Sequence, residues 1–176
     1  MKATLSATHD SFRLARCLGV CMLFAASLAG AQPAHVRSLA GKPAPAFARR
    51  DLAGQIIRLD GLRGKVVLLN FWATWCAPCQ AEMPVFDSWQ HEYGSRGFQV
   101  IGISMDDDED AARGLVNNLR LDYPVVMGDA RLGERYGGVL GLPITFVIGR
   151  DGKVLAQFQG EGNLNLIEKA IKSALQ

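Results

Sequence analysis

Two cysteines with two residues between them, Cys76-Ala77-Pro78-Cys79, join an apolar run to a segment of helical period. That junction constrains the chain more than any other stretch. Val66-Val67-Leu68-Leu69-Asn70-Phe71-Trp72 reads as a buried strand. From Ala77 to about Tyr93, the residues Met83, Phe86, Trp89 and Tyr93 recur at helical spacing, so one face of a helix packs on a sheet. Pro84 falls inside this pattern and cannot donate to the Gln80 carbonyl, so a kink is expected there. A strand that delivers C-x-x-C to a first helical turn sets a thiol among backbone N–H groups with no intrahelical partner, at the positive end of the helix dipole. A thiolate is stabilised there, its pKa falls, and it becomes a nucleophile near neutral pH. The pattern predicts thiol–disulfide exchange.

The N-terminal segment shows where such chemistry would operate. A cationic stretch ends at Arg16, an apolar run covers Cys17 to Ala29, and Ala29-Gly30-Ala31 supplies a small-x-small site before Gln32. These are the three parts of a secretory signal peptide, with cleavage expected after Ala31 and a periplasmic destination. The apolar run is shorter than the roughly 20 residues that span a bilayer, which disfavours an uncleaved anchor; membrane contact is expected only if the leader stays on. Cys21, mid-run behind bulky Val20, makes a poor lipid-attachment site, and no twin arginine precedes the run. Lys2, Arg13 and Arg16 against Asp10 account for the whole net charge of +2, leaving the remainder neutral. Steering toward nucleic acid is therefore not supported.

The 176 residues, 49% hydrophobic and 20% charged, suit one globular domain plus an extension. The division expected is a signal peptide over 1–31, a linker over 32–42 containing His35, and one domain over 43–176. Loss of the leader reduces four cysteines to two, Cys76 and Cys79. A secreted domain stapled by disulfides carries several separated cysteines. A bridge enclosing two residues restricts the unfolded chain little, so a stabilising role is weak.

The rest of the domain alternates strands and helices. Ala46 to Arg49 and Gln55 to Leu59 read as short strands around a turn at Leu52-Ala53-Gly54. Phe98 to Ser104 is a strand; a helix follows with Asp108, Glu109 and Asp110 in its first turn and Ala111, Leu115 and Leu119 as its inward stripe. The acidic run 106–110 lacks the glycine and the closing glutamate of a calcium loop and reads as a helix start alone. Tyr123 to Met127 is a short strand and Arg131 to Tyr136 a short helix. Residues 144–158 form a hairpin turning at Asp151-Gly152. A last helix carries Leu164, Ile167, Ile171 and Leu175 on one face, with Asn163 or Asn165 as its cap. The fold class is α/β: a mixed central sheet covered by helices on both faces.

Trp72-Ala73-Thr74-Trp75-Cys76-Ala77-Pro78-Cys79, followed by Glu82-Met83-Pro84, closely resembles the TlpA/ResA-like branch of the thioredoxin superfamily. The likeness runs from about Pro43 to the C-terminus. Gly141-Leu142-Pro143-Ile144-Thr145-Phe146 looks like the family's cis-proline loop, and the extra helix–strand segment at about 108–127 and the N-terminal hairpin fit the same branch. The resemblance implies a thioredoxin-like fold and an exported protein-disulfide reductase with Cys76 and Cys79 as catalytic residues. Leu142, Pro143 and Trp75 would meet the client chain, with Pro78, Glu82 and Asn70 in support. Trp72 and Trp75 would shield the pair and offer apolar surface to clients, or serve as core, which is the expectation for Trp72. Clients of this family include apocytochrome c and copper-site assembly proteins, and its electrons come from a membrane thiol transporter. No cofactor and no metal are required, and a monomer is expected.

One departure bears on proton transfer. Thioredoxins carry a buried aspartate on the strand leading to the active site, where this chain has Asn70, which cannot take a proton. Glu82 is the nearest acid in sequence, and two readings of it stand: a proton acceptor for Cys79, or a helix-surface carboxylate near the dipole. Two other functions are open at this point. A DsbA-like oxidase would run the same exchange in reverse, although those proteins carry a larger helical insertion. A Cu(I) carrier would use the two thiolates with His91 as a third ligand. Ala73 stands where a peroxidase would need threonine.

Overall fold

The computed structural model describes residues 38–139 and 141–176. The leader, its cleavage site and His35 lie outside them. Among the described residues no helix is long and apolar enough to cross a membrane.

Strand β3 (Val66–Trp72) is the centre, with all of its residues buried. It pairs in parallel with β4 (Phe98–Ser104), and β4 pairs in parallel with the short β5 (Val125–Met127). On the other side β3 meets β6 (Ile144–Ile148) antiparallel, and β6 turns back into β7 (Val154–Gln159) with a bulge at Val147/Ile148. The strand order is β5-β4-β3-β6-β7. A separate two-stranded hairpin pairs β1 (Ala48–Arg50) with β2 (Ile56–Arg58).

Alternate residues of β3 face opposite layers, as a pleated strand requires. Val66, Leu68 and Trp72 join Met83, Phe86, Trp89 and Tyr93 of α1 (Ala77–Tyr93) and Ile167 and Ile171 of α4 (Leu164–Ala174) in one core. Val67, Leu69 and Phe71 face the other layer, with Phe47, Leu59, and Leu132 of α3 (Ala130–Arg135). There Phe71, Tyr136 and Phe146 form a cluster of tilted and edge-on rings with centroids 5.1–5.9 Å apart. The mixed sheet with helices on both faces is the expected thioredoxin-like arrangement, and α2 (Glu109–Leu119) with β5 supplies the extra helix–strand segment.

Two local expectations need correction. The buried residue of α2 is Ala112, with Leu115, Val116 and Leu119 packed beside it, and Ala111 is exposed. The helix meets the sheet one residue further round than a 111–115–119 stripe requires. Asn163 precedes α4, but its side chain makes no bond to the helix; Nδ2 instead donates to the carbonyls of Gly160, Gln159 and Glu161. Helix α1 continues through Pro84, which is exposed.

Candidate active site

The site is built where β3 runs out. Beyond Trp72, the Ala73 carbonyl accepts from the Cys76 N–H (3.1 Å), and Cys76 becomes the N-cap of α1 with extended backbone (φ −94°, ψ 93°). Its Sγ accepts from the Cys79 N–H at 3.3 Å, so one of the free donors of the helix start points at sulfur. Pro78 sits in the first turn, where its missing N–H costs no hydrogen bond. Cys76 and Cys79 are joined as a disulfide, with Cα atoms 5.3 Å apart. In this oxidised state neither cysteine is open to solvent. Cys76 is 5% exposed and Cys79 is fully buried.

The two tryptophans divide. Trp72 is completely buried in the core that holds both cysteines, whereas Trp75 is 72% exposed. Trp72 is thus a core residue, and Trp75 stands in solvent beside Cys76. Its backbone is held on both sides. The Thr74 N–H donates to Asp106 Oδ1 (3.1 Å) and Oδ2 (3.0 Å), the Thr74 hydroxyl donates to Oδ1 (2.6 Å), and the Thr74 carbonyl accepts from Gln80 Nε2 (2.6 Å). Ser104 Oγ donates to Asp106 Oδ2 (2.8 Å). The reading of 106–110 as a helix start alone is corrected here. The N-cap of α2 is Asp108, and Asp106 reaches back 32 residues. Its one sequence signal was indirect: the parallel pairing of β3 and β4 sets their C-terminal ends side by side, Trp72 against Ser104.

Glu82 lies three residues past Cys79 and is 4% exposed, so the helix-surface reading fails. Both carboxylate oxygens are without hydrogen-bond partners among the described residues. Burial pushes its pKa up to about 7, helped by the nearby Glu161 carboxylate. Asn70 is buried on β3 opposite Thr145 of β6, and its Nδ2 donates to Thr145 Oγ1 (3.0 Å) while Oδ1 lacks a partner among the described residues. A neutral amide there cannot take up a proton as a carboxylate does.

The Leu142–Pro143 peptide is cis. Ile144 pairs with Phe71, so Pro143 stands level with the end of β3, where the chain leaves for Cys76. Pro143 is buried, and half-buried Leu142 packs against the core containing both cysteines. The Pro143 carbonyl accepts from the Gly160 N–H (2.9 Å), tying this loop to the turn after β7. His91 is not part of the site. It lies fifteen residues along α1 from Cys76, about 22 Å at the rise of a helix. Its Nε2 is engaged by Asp122 (3.0 Å) and Asp87 (3.3 Å). His91 therefore does not supply a third ligand to a copper site shared with the cysteines. Chemically, the arrangement suits two-electron exchange at sulfur, with one buried carboxyl able to change protonation near neutral pH.

Residues 40–157 match the AhpC/TSA family. Curated relatives named thiol-disulfide oxidoreductase ResA include one from Bacillus anthracis, 39% identical over 132 residues, covering 75% of this chain and 76% of that protein. Another, from Bacillus subtilis, is 34% identical over 121 residues and covers 68% of this chain and 67% of its own. Among solved structures, a thiol:disulfide interchange protein of the thioredoxin family from Chlorobium tepidum superposes with a TM-score of 0.70 at 31% identity, over 76% of this chain and 96% of that one. The chain therefore belongs to the AhpC/TSA family and, within its thioredoxin-like fold, to the ResA-like thiol–disulfide oxidoreductases.

Proposed function

We propose that the protein is an exported reductase of client-protein disulfides, working through Cys76 and Cys79. The observation that carries the reading is Glu82: a buried carboxyl without a hydrogen-bond partner among the described residues, its pKa raised to about 7, one turn past the inner cysteine. A group poised near neutral pH can both accept and return a proton. In the reduced enzyme the Cys76 thiolate attacks one sulfur of a client disulfide, forming a mixed disulfide and releasing a client thiolate. Cys79 then gives its proton to Glu82 and attacks Cys76 Sγ. The mixed disulfide breaks and the second client thiolate leaves. Two electrons have passed to the client, and the enzyme is left with the Cys76–Cys79 disulfide. A thiol donor restores the dithiol.

Supporting roles follow from position. Pro78 limits the start of α1 to few conformations, Asn70 keeps a second acid away from the pair, and Leu142, Pro143 and Trp75 form the surface met by the client chain, the backbone of Leu142 pairing with it. Neither a metal nor a cofactor is required, because both electrons reside on sulfur. The leader directs the chain to the periplasm and is removed after Ala31, leaving the linker 32–42 and a monomeric domain over 43–176. The electron donor is a membrane thiol protein, and the clients are of the apocytochrome c or copper-assembly class.

A trap tests this reading. Cys79→Ala expressed in the native host should hold clients on Cys76 as mixed disulfides, identified by mass spectrometry. No capture, together with a reduction potential near the roughly −120 mV of DsbA, sinks the reductase reading in favour of an oxidase.

A further inference from the structure

An exposed tryptophan is not a resting place a chain adopts freely. Trp75 keeps most of its surface in water, although its ring is among the largest apolar groups available for burial. What holds it out is the backbone on either side. The Cys76 N–H is taken by the Ala73 carbonyl, and the Thr74 carbonyl by Gln80 Nε2. The Thr74 N–H and hydroxyl are both taken by one carboxylate, that of Asp106. Asp106 is itself fixed, because its Oδ2 accepts from Ser104 Oγ and its N–H donates to the same oxygen at 3.2 Å. The neighbouring Met105 N–H donates to the Trp72 carbonyl at 2.8 Å. The end of β4 is thus laced to the end of β3 across the only stretch that carries Trp75.

We propose that Asp106 is a positioning residue for client exchange: by clamping Thr74 from the end of β4, it presents Trp75 in solvent beside Cys76 as a rigid contact for the client chain. The role rests on the reductase reading above, in which Trp75 meets clients. Asp106 makes no contact with substrate. It acts through Thr74, and the charge-assisted bonds it accepts are the stronger kind. Without the clamp, the 73–75 loop is free to turn the indole toward the protein surface, and a client would have to reorder it on binding.

The discriminating quantity is a ratio of exchange rates, that for a protein disulfide (insulin) over that for a small one (oxidised glutathione), because only the protein is long enough to use Trp75. Asp106→Ala should lower the ratio about tenfold, the scale of one lost hydrogen bond to a charged group. Asp106→Asn, which keeps one oxygen for Thr74, should recover part of it. Thr74→Val removes the hydroxyl donor alone and should lower the ratio by less; it carries the test if Asp106→Ala does not fold. In a Trp75→Ala background the Asp106→Ala change should leave the ratio where Trp75→Ala has already set it. A ratio unmoved by Asp106→Ala in an active protein, or a full second loss on top of Trp75→Ala, overturns the role of Asp106. Wild-type protein that does not reduce insulin overturns the reductase reading itself, and the inference falls with it.

Discussion

Glu82 stands three residues beyond Cys79 on the same buried face of α1, with no hydrogen-bond donor among the described residues at either carboxylate oxygen. Residues at this spacing are neighbours on a helix surface. A carboxyl so placed is costly to ionise, and its proton affinity is linked to stability.

The stability link has a definite sign. The unfolded carboxyl titrates near 4.5 and the folded one near 7. Between those values the folded chain keeps a proton that the unfolded chain gives up, so stability falls as pH rises through this window. The loss is complete above it and amounts to at most about 3 kcal/mol. Glu82→Gln should remove this slope, leaving the variant close to wild type at pH 4.5 and more stable at pH 8. Denaturant titration at the two pH values measures it; an unchanged slope would show that Glu82 is not the titrating group. The same variant should slow release of client from the mixed disulfide by about 10²-fold, read by quenched-flow trapping.

Asn70 lies in the core with one bond, to Thr145 Oγ1. Asn70→Asp would place a carboxylate there, with burial raising its pKa. The variant should lose about 1–3 kcal/mol at pH 7 and regain most of it on acidification, since the folded state then holds the proton. Thermal melts at pH 4 and pH 7 check the direction. A variant equally stable at both would mean that the site admits solvent.

Gly102 in β4 has no room for a side chain. A Cβ there would come within 2.9 Å of Trp72 Nε1, 3.0 Å of Val125 Cγ2 and 3.3 Å of Tyr123 Cε2. Gly102→Ala should cost about 1–3 kcal/mol by overpacking against Trp72 and β5. Equilibrium unfolding gives the number, and a change below about 0.5 kcal/mol would contradict the tight packing.

Export makes a prediction of its own. The mature protein should begin at Gln32 and be recovered from the periplasm free of membrane, as shown by intact mass and N-terminal sequencing. A chain beginning at Met1 in the membrane fraction would instead mean a retained anchor.

The strand at 66–72, the helix at 77–93 and the C-x-x-C between them were legible because each rests on local physics. An unbroken apolar run, a helical period and a cap with proline behind it need no distant partner. The cis-proline loop was legible only by likeness to a known family, and the structure sets it level with the end of β3. Glu82 could be listed but not assigned, because the choice between surface and core depends on the rotation of α1 against the sheet. The same rotation problem exchanged Ala111 for Ala112 in α2.

By itself, then, the sequence determined the reaction centre: two cysteines with two residues between them at a strand–helix junction. Tertiary structure decided what surrounds them. Parallel pairing of β3 with β4 set Ser104 beside Trp72 and so brought Asp106 to Thr74, far away in the chain. Packing of α1 on the sheet took Glu82 out of water and left Trp75 in it. Contacts between distant segments and the burial of a single side chain follow from how whole elements dock, which no window of neighbouring residues encodes.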